Sequence, residues 1–212
     1  MRETAEEVAH NLRTDARENR DRILEAARAL FSERGLEVSM REVARHAAVG
    51  PATLYRRFPT KRALIDEAFA GELRACRQIV EDGFADPDAW RGLTTVIEGL
   101  SVHNVQNRGF VDAFMSASPQ GGTFARHRVA LLRQLEEVAR RAKRANLLRH
   151  DVTIDDLVLV LLAARGLSSI PRNGRTAAAR RFAALALDAL RADATNGALP
   201  TGAPLAKATI LS

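Results

Sequence analysis

Six basic side chains, Arg41, Arg45, Arg56, Arg57, Lys61 and Arg62, fall within 22 residues that hold one acid, Glu42. That local charge of +5 suits contact with a phosphate backbone, where each cation that meets a phosphate releases condensed counterions. A solvated helix face is the plain alternative. The excess is local. The 212-residue chain carries 32 Lys+Arg against 26 Asp+Glu, for a net charge of +6, and residues 1–70 taken together are nearly self-neutralised.

Catalytic chemistry finds little purchase. His10, His46, His103, His127 and His150 show no metal-ligand spacing, and Cys76 has no Cys-x-x-Cys partner. A Gly-rich phosphate loop and a Gly-x-Ser-x-Gly elbow are both missing from the sequence. The expectation is a protein that is not an enzyme and uses no metal or cofactor. An enzyme of small-molecule metabolism remains a remote alternative, which turnover would reveal. A lone cysteine forms no intramolecular disulfide and fits a reducing compartment. The longest nearly uninterrupted apolar stretch, Leu157 to Ala164, is 8 residues, whereas a spanning helix needs about 20. The charged start, MRETAEEVAHNLRTDARENRDR, has no apolar core and is not a signal peptide. The chain is therefore expected to be soluble and cytoplasmic, with no membrane partner.

The basic cluster must be positioned by helices. Residues 1–19 read as a flexible charged arm, whose Arg13 and Arg17, with Arg20, either reach a minor groove or stay in a solvated tail. From Arg20, apolar Ile23, Leu24, Ala27, Leu30 and Phe31 share one helical face, and Gly35 ends that helix where φ must turn positive. Ser39 and Glu42 form a capping box that opens a short helix over 40–47. Gly50-Pro51 opens a second over 51–57, and Phe58-Pro59 closes it. Segments this short are marginal alone and must pack on their neighbours. The expected core is Ile23, Ala27, Leu30, Phe31, Val43, Ala44, Val49, Leu54, Phe58, Leu64 and Ala68. Two short helices after a supporting one make a helix-turn-helix, and Pro51, Ala52, Thr53, Tyr55, Arg56 and Arg57 remain as a surface suited to a DNA groove.

The run Ala48-Val-Gly-Pro-Ala-Thr-Leu-Tyr-Arg-Arg-Phe-Pro-Thr-Lys61, with Ile23-Leu-Glu-Ala-Ala27, Leu30-Phe31, Gly35, Ser39 and Val43-Ala44 before it, resembles the amino-terminal domain of TetR-type transcriptional regulators. The resemblance covers residues 20–70. It departs at Ala48, Gly50 and Arg57, where the family usually has Gly, Ser and His; an alanine at positive φ costs roughly 1–2 kcal/mol. The resemblance implies phosphate contacts from Ser39, Tyr55, Arg57, Thr60 and Lys61. It places Arg41, Pro51, Ala52, Thr53 and Arg56 nearest the base edges, with Gly50 at the helix start. Arg41 and Arg56 are the two that can grip guanine bidentately. Tyr55 also suits a core position, and Arg56 a plain solvated surface.

The rest reads as helices over 60–85, 87–107, 109–116, 121–147, 153–170 and 174–193, with no alternating strand pattern. The fold class is all-α, with a ligand-binding and dimerisation domain at 71–194 and a disordered tail at 195–212. Thr153 and Asp156 cap a segment, Leu157–Ala164, that is apolar on every side and so expected to be buried on every side. The last two helices carry more apolar surface than one domain needs, which predicts a homodimer through a four-helix bundle. In the resembling family that is the dimerisation element, and two-fold symmetry implies a palindromic DNA operator. Trp90, His103, Phe110, Phe114, Met115, Phe124, His127, Arg128 and Arg165 are candidates to line a pocket for a small-molecule effector; core packing is the alternative for each aromatic. Arg165, within an apolar helix, needs Asp112, Glu98 or a ligand anion beside it. The resemblance implies a ligand-responsive repressor in which effector binding shifts the separation of the DNA heads and releases the operator. A ligand-independent architectural or activating DNA binder is the alternative.

Overall fold

The computed structural model describes residues 2–116, 123–192, 197–202 and 205. Among them every regular element is helical, apart from an isolated antiparallel bridge between Leu148 and Arg191. The chain divides into two compact units, residues 1–70 and 71–212.

The first unit holds α1 (Arg2–Arg34), α2 (Met40–His46), α3 (Pro51–Arg57) and α4 (Lys61–Ala68). Helix α1 begins well before Arg20, so the stretch read as an arm has helical backbone from Arg2. Residues 2–34 contain no proline or glycine, the residues that most strongly break a helix interior. Gly35 takes φ +76° and its N–H bonds the Phe31 carbonyl at 3.0 Å, which ends the helix. The capping box of α2 is present: Glu42 N–H donates to Ser39 Oγ at 3.2 Å, and Ser39 N–H donates to Glu42 Oε2 at 2.9 Å. Of the expected core, ten residues are buried and Val49 is half-buried. Helices α2 and α4 pack on α1, with the rings of Phe31 and Phe69 6.1 Å apart.

The second unit is built from α5 (Ala70–Ala85), α6 (Ala89–Gln106), α7 (Arg108–Ser116), α8 (Thr123–Arg144), α9 (Ile154–Arg165) and α10 (Arg172–Leu190). The helix expected over 60–85 is thus two, divided at Phe69. Helix α6 touches α7, α8, α9 and α10 and forms the centre of the unit. Helices α5 and α6 meet at glycines: a Cβ on Gly83 would strike Val96 and the Gly92 carbonyl, and one on Gly92 would strike the Gly83 carbonyl. Thr153 and Asp156 cap α9 as expected. This helix stops at Arg165 rather than reaching 170, and tightens into a 3-10 turn over Gly166–Ser169, where Ser169 Oγ takes the Gly166 carbonyl at 3.0 Å.

The all-round burial expected for 157–164 does not hold within one chain, because Leu159 is 55% exposed. Leu185 on α10 is 60% exposed. In the stretch read as a disordered tail, Arg149 holds the Gly197 carbonyl at 2.5 Å and Asp151 accepts from Leu199 N–H at 3.2 Å. Positions 195–196, 203–204 and 206–212 of that tail lie outside the described residues.

Candidate functional site

Helix α3 is held by one side chain. Leu54 is fully buried, and with about 3.6 residues per turn Ala52 and Arg56 lie opposite it, pointing outward. Tyr55 is 46% exposed, which removes the core reading for this residue. Pro51, Ala52, Arg56 and Arg57 are exposed and Thr53 is half-buried. Gly50 is the N-cap of α3 without a side-chain bond, and Pro51 occupies the first turn. On α2 the buried Met40, Val43 and Ala44 face inward, and Arg41 and Arg45, one turn apart, are exposed. At the start of α4, Thr60 Oγ1 accepts from Ala63 N–H at 3.1 Å, with Lys61 next to it.

The turn joining α2 to α3 keeps the geometry that usually demands glycine. Ala48 sits at φ +52°, and Val49 N–H bonds the Ala44 carbonyl at 3.0 Å. The left-handed residue is therefore the alanine itself, at the strain expected from sequence.

The charges fall into two groups. Glu42, the acid of the cluster, accepts from Ser39 and from Arg34 at 2.8 Å. The Ser39 backbone N–H, then the Ser39 hydroxyl, then Arg34 hold its carboxyl down at about 2. The Ser39 hydroxyl, expected on a phosphate, thus already donates to Glu42 at 2.9 Å. Arg41, Arg45, Arg56, Arg57 and Lys61 form no ion pair among the described residues. Arg45 shares the exposed face of α2 with Arg41, a relation that their four-residue spacing already carries in the sequence. Arg20 is not available in the same way, since it pairs with Glu67 and Asp21.

The second unit holds a partly open cavity of about 90 Å³. Four of the expected lining residues are in its wall: Phe110, Phe114, Met115 and Arg128. The remainder is contributed by Cys76, Val80, Leu100, Asn104, Val111, Leu131, Leu132, Leu135, Val158, Leu161 and Leu162. Phe124 stands behind the wall, its ring 6.0 Å from Phe110 and 6.4 Å from Phe114. His103 meets Phe110 edge-on at 5.3 Å, and burial lowers its pKa, which favours the neutral ring. Trp90 lies away from the wall under the Arg191 guanidinium, 4.6 Å from its ring centre. His127 is half-buried outside the lining, with a pKa lowered first by burial and then by Arg77 and Arg126. Arg165 has its partner: it forms an ion pair with Asp112, whereas Glu98 pairs with Arg180 at 3.0 Å.

Residues 23–68 match the family model for bacterial regulatory proteins of the tetR family. Residues 87–192, half of the chain, match the C-terminal domain of SbtR-like transcriptional regulators. Over 82% of this chain and 99% of the other, the fold is similar to the TetR transcriptional regulator SCO0520 of Streptomyces coelicolor, at 32% identity and a TM-score of 0.54. The chain belongs to the TetR family of transcriptional regulators. Its helix-turn-helix is 46% identical over 56 residues to the regulator UidR of Escherichia coli K12, a match spanning 26% of this chain and 29% of that relative. The ketosteroid transcriptional regulator KstR2 of Mycobacterium tuberculosis shares the fold at 19% identity and a TM-score of 0.65, over 82% of this chain and 95% of the other. As a TetR-family member the protein is a DNA-binding transcriptional regulator, and the families it matches are regulators rather than enzymes. All eleven expected DNA-contacting positions lie inside the amino-terminal family match, and all nine expected cavity positions inside the C-terminal one. No helix among the described residues is long and apolar enough to cross a membrane.

Proposed function

We propose that this TetR-family protein is a cytoplasmic, ligand-responsive repressor that binds a palindromic operator as a homodimer. The observation that carries the reading is the set of exposed Arg41, Arg45, Arg56 and Arg57 with half-buried Lys61, cations that form no ion pair among the described residues, beside an exposed Tyr55. Phosphate contacts fall to Tyr55, Arg57, Thr60, Lys61 and, once its hydroxyl turns from Glu42, Ser39. Base contacts fall to Arg41, Pro51, Ala52, Thr53 and Arg56, with Gly50 at the start of α3. Phosphate contacts position such a protein and base contacts specify its sequence.

Dimerisation through α9 and α10 accounts for Leu159 and Leu185, large apolar side chains that one chain leaves in water. The small-molecule effector occupies the cavity of the second unit and lowers operator affinity. Selection of bound sequences from a random DNA pool tests the reading. A two-fold symmetric motif, with half-sites separated by roughly 34–36 Å or another spacing set by the dimer, is the expected result. An asymmetric motif would contradict the dimer. Operator affinity that no ligand library alters would favour the ligand-independent alternative.

A further inference from the structure

Arg128 on α8 is a charged group where an aliphatic core needs none. It is 2% exposed and stands in the cavity wall with Phe110, Phe114 and several leucines. Its Nη1 donates to the carbonyls of Phe114 at 2.9 Å and Met115 at 3.3 Å, near the end of α7, where a helix presents its negative pole. Those bonds explain one side of the guanidinium. Its buried Nε has no acceptor among the described residues, and no carboxylate among them pairs with the charge. Burial alone acts on its pKa, and lowers it. An unpaired buried charge is expensive, so the cavity is better matched to an occupant that brings an anion than to an empty apolar core.

The other polar groups of the wall narrow the class. Asn104 Nδ2 is engaged with the Leu161 carbonyl at 3.3 Å. The Cys76 thiol is pushed up to about 12 by burial and stays neutral. Arg128 is then the one charged side chain among the described residues of a wall whose remaining surface is largely hydrocarbon and phenyl.

Resting on the reading of this cavity as the effector site, we propose that the effector is a small amphiphilic monocarboxylate, its carboxylate on Arg128 Nε and its hydrocarbon against Phe110, Phe114 and Leu132. A planar carboxylate accepts from the guanidinium fork, whereas a phosphate dianion would leave a charge unmatched.

The test titrates the full chain calorimetrically with butanoate, hexanoate, octanoate and decanoate, each beside its uncharged amide. At least one acid is expected to bind about tenfold or more tightly than its amide. In Arg128→Met, that acid falls to the affinity of its amide, and the amide binds as before. The wild-type Arg128 Nε–H resonance provides a readout that needs no variant: it shifts on adding the acid and stays in place on adding the amide. Equal binding of acid and amide would overturn the anion site and leave the effector cavity standing. A preference for acid that survives in Arg128→Met, with an unmoved Nε–H signal, would overturn the assignment to Arg128. Binding by no member of either series would overturn both readings.

Discussion

At the scale of single residues, the proposed DNA surface divides into side chains expected to position and side chains expected to read. Arg56 stands opposite the buried Leu54 and is free to present its guanidinium to a base edge. Arg56→Ala is expected to cost about 1–3 kcal/mol of operator binding and relax the preference at one base pair, as read by competition among operator variants. Lys61→Ala, losing a phosphate contact, is expected to weaken all sequences alike and to reduce the salt slope by about 1. Unchanged operator affinity in Arg56→Ala would remove that residue from the base-reading set. Ala48 is a residue-scale cost of another kind. At φ +52° a methyl group crowds its own backbone. Ala48→Gly relieves that strain but adds freedom to the unfolded chain, leaving a net stabilisation of about 0.5–1 kcal/mol, to be read as a rise in the thermal midpoint.

At the scale of elements, α2 is a seven-residue helix that depends on its cap. Glu42 serves the cap only as a carboxylate. Because its folded pKa is depressed to about 2 from 4.5, its contribution is complete above the ordinary carboxylate range and is lost as the pH falls towards 2. Glu42→Gln is therefore expected to be less stable than wild type at neutral pH. The gap between them should close on acidification through that window, in denaturant melts taken at successive pH values; a gap independent of pH would show that the charge does no work there. The same logic of local satisfaction extends to α7, whose final carbonyls are taken by Arg128, and to α9, whose first turn is closed by Thr153 and Asp156.

At the scale of the whole molecule, the exposed leucines of α9 and α10 bear on assembly. Leu159→Glu combined with Leu185→Glu is expected to leave the helical circular dichroism of each chain intact, since neither side chain is in the core of its own unit. Sedimentation should then report a monomer, and operator affinity should fall steeply, because two half-sites are no longer held by one particle. A dimer that persists in this double variant would place the subunit contact elsewhere.

Much of the fold is legible in the sequence. The period of Ile23, Ala27, Leu30 and Phe31, the capping signals at Ser39, Gly50-Pro51 and Thr153, and the stop at Gly35 are local, and local sequence determines helix limits through hydrogen bonds and φ preferences. The exposed face of α3 was legible for the same reason: on a short helix with one buried anchor, the outward residues follow by counting. The cavity was legible only where its lining is chemically unusual, at Phe110, Phe114, Met115 and Arg128. Its leucines and valines are indistinguishable in sequence from core, and whether a void or a neighbour faces them depends on how α5 to α9 stack. Tertiary structure alone decided that Asp112 rather than Glu98 answers Arg165, that Trp90 turns to Arg191, and that Nε of Arg128 is left without an acceptor among the described residues. Spacing along one chain specifies which face a side chain occupies; which distant helix meets that face is a property of the packed unit.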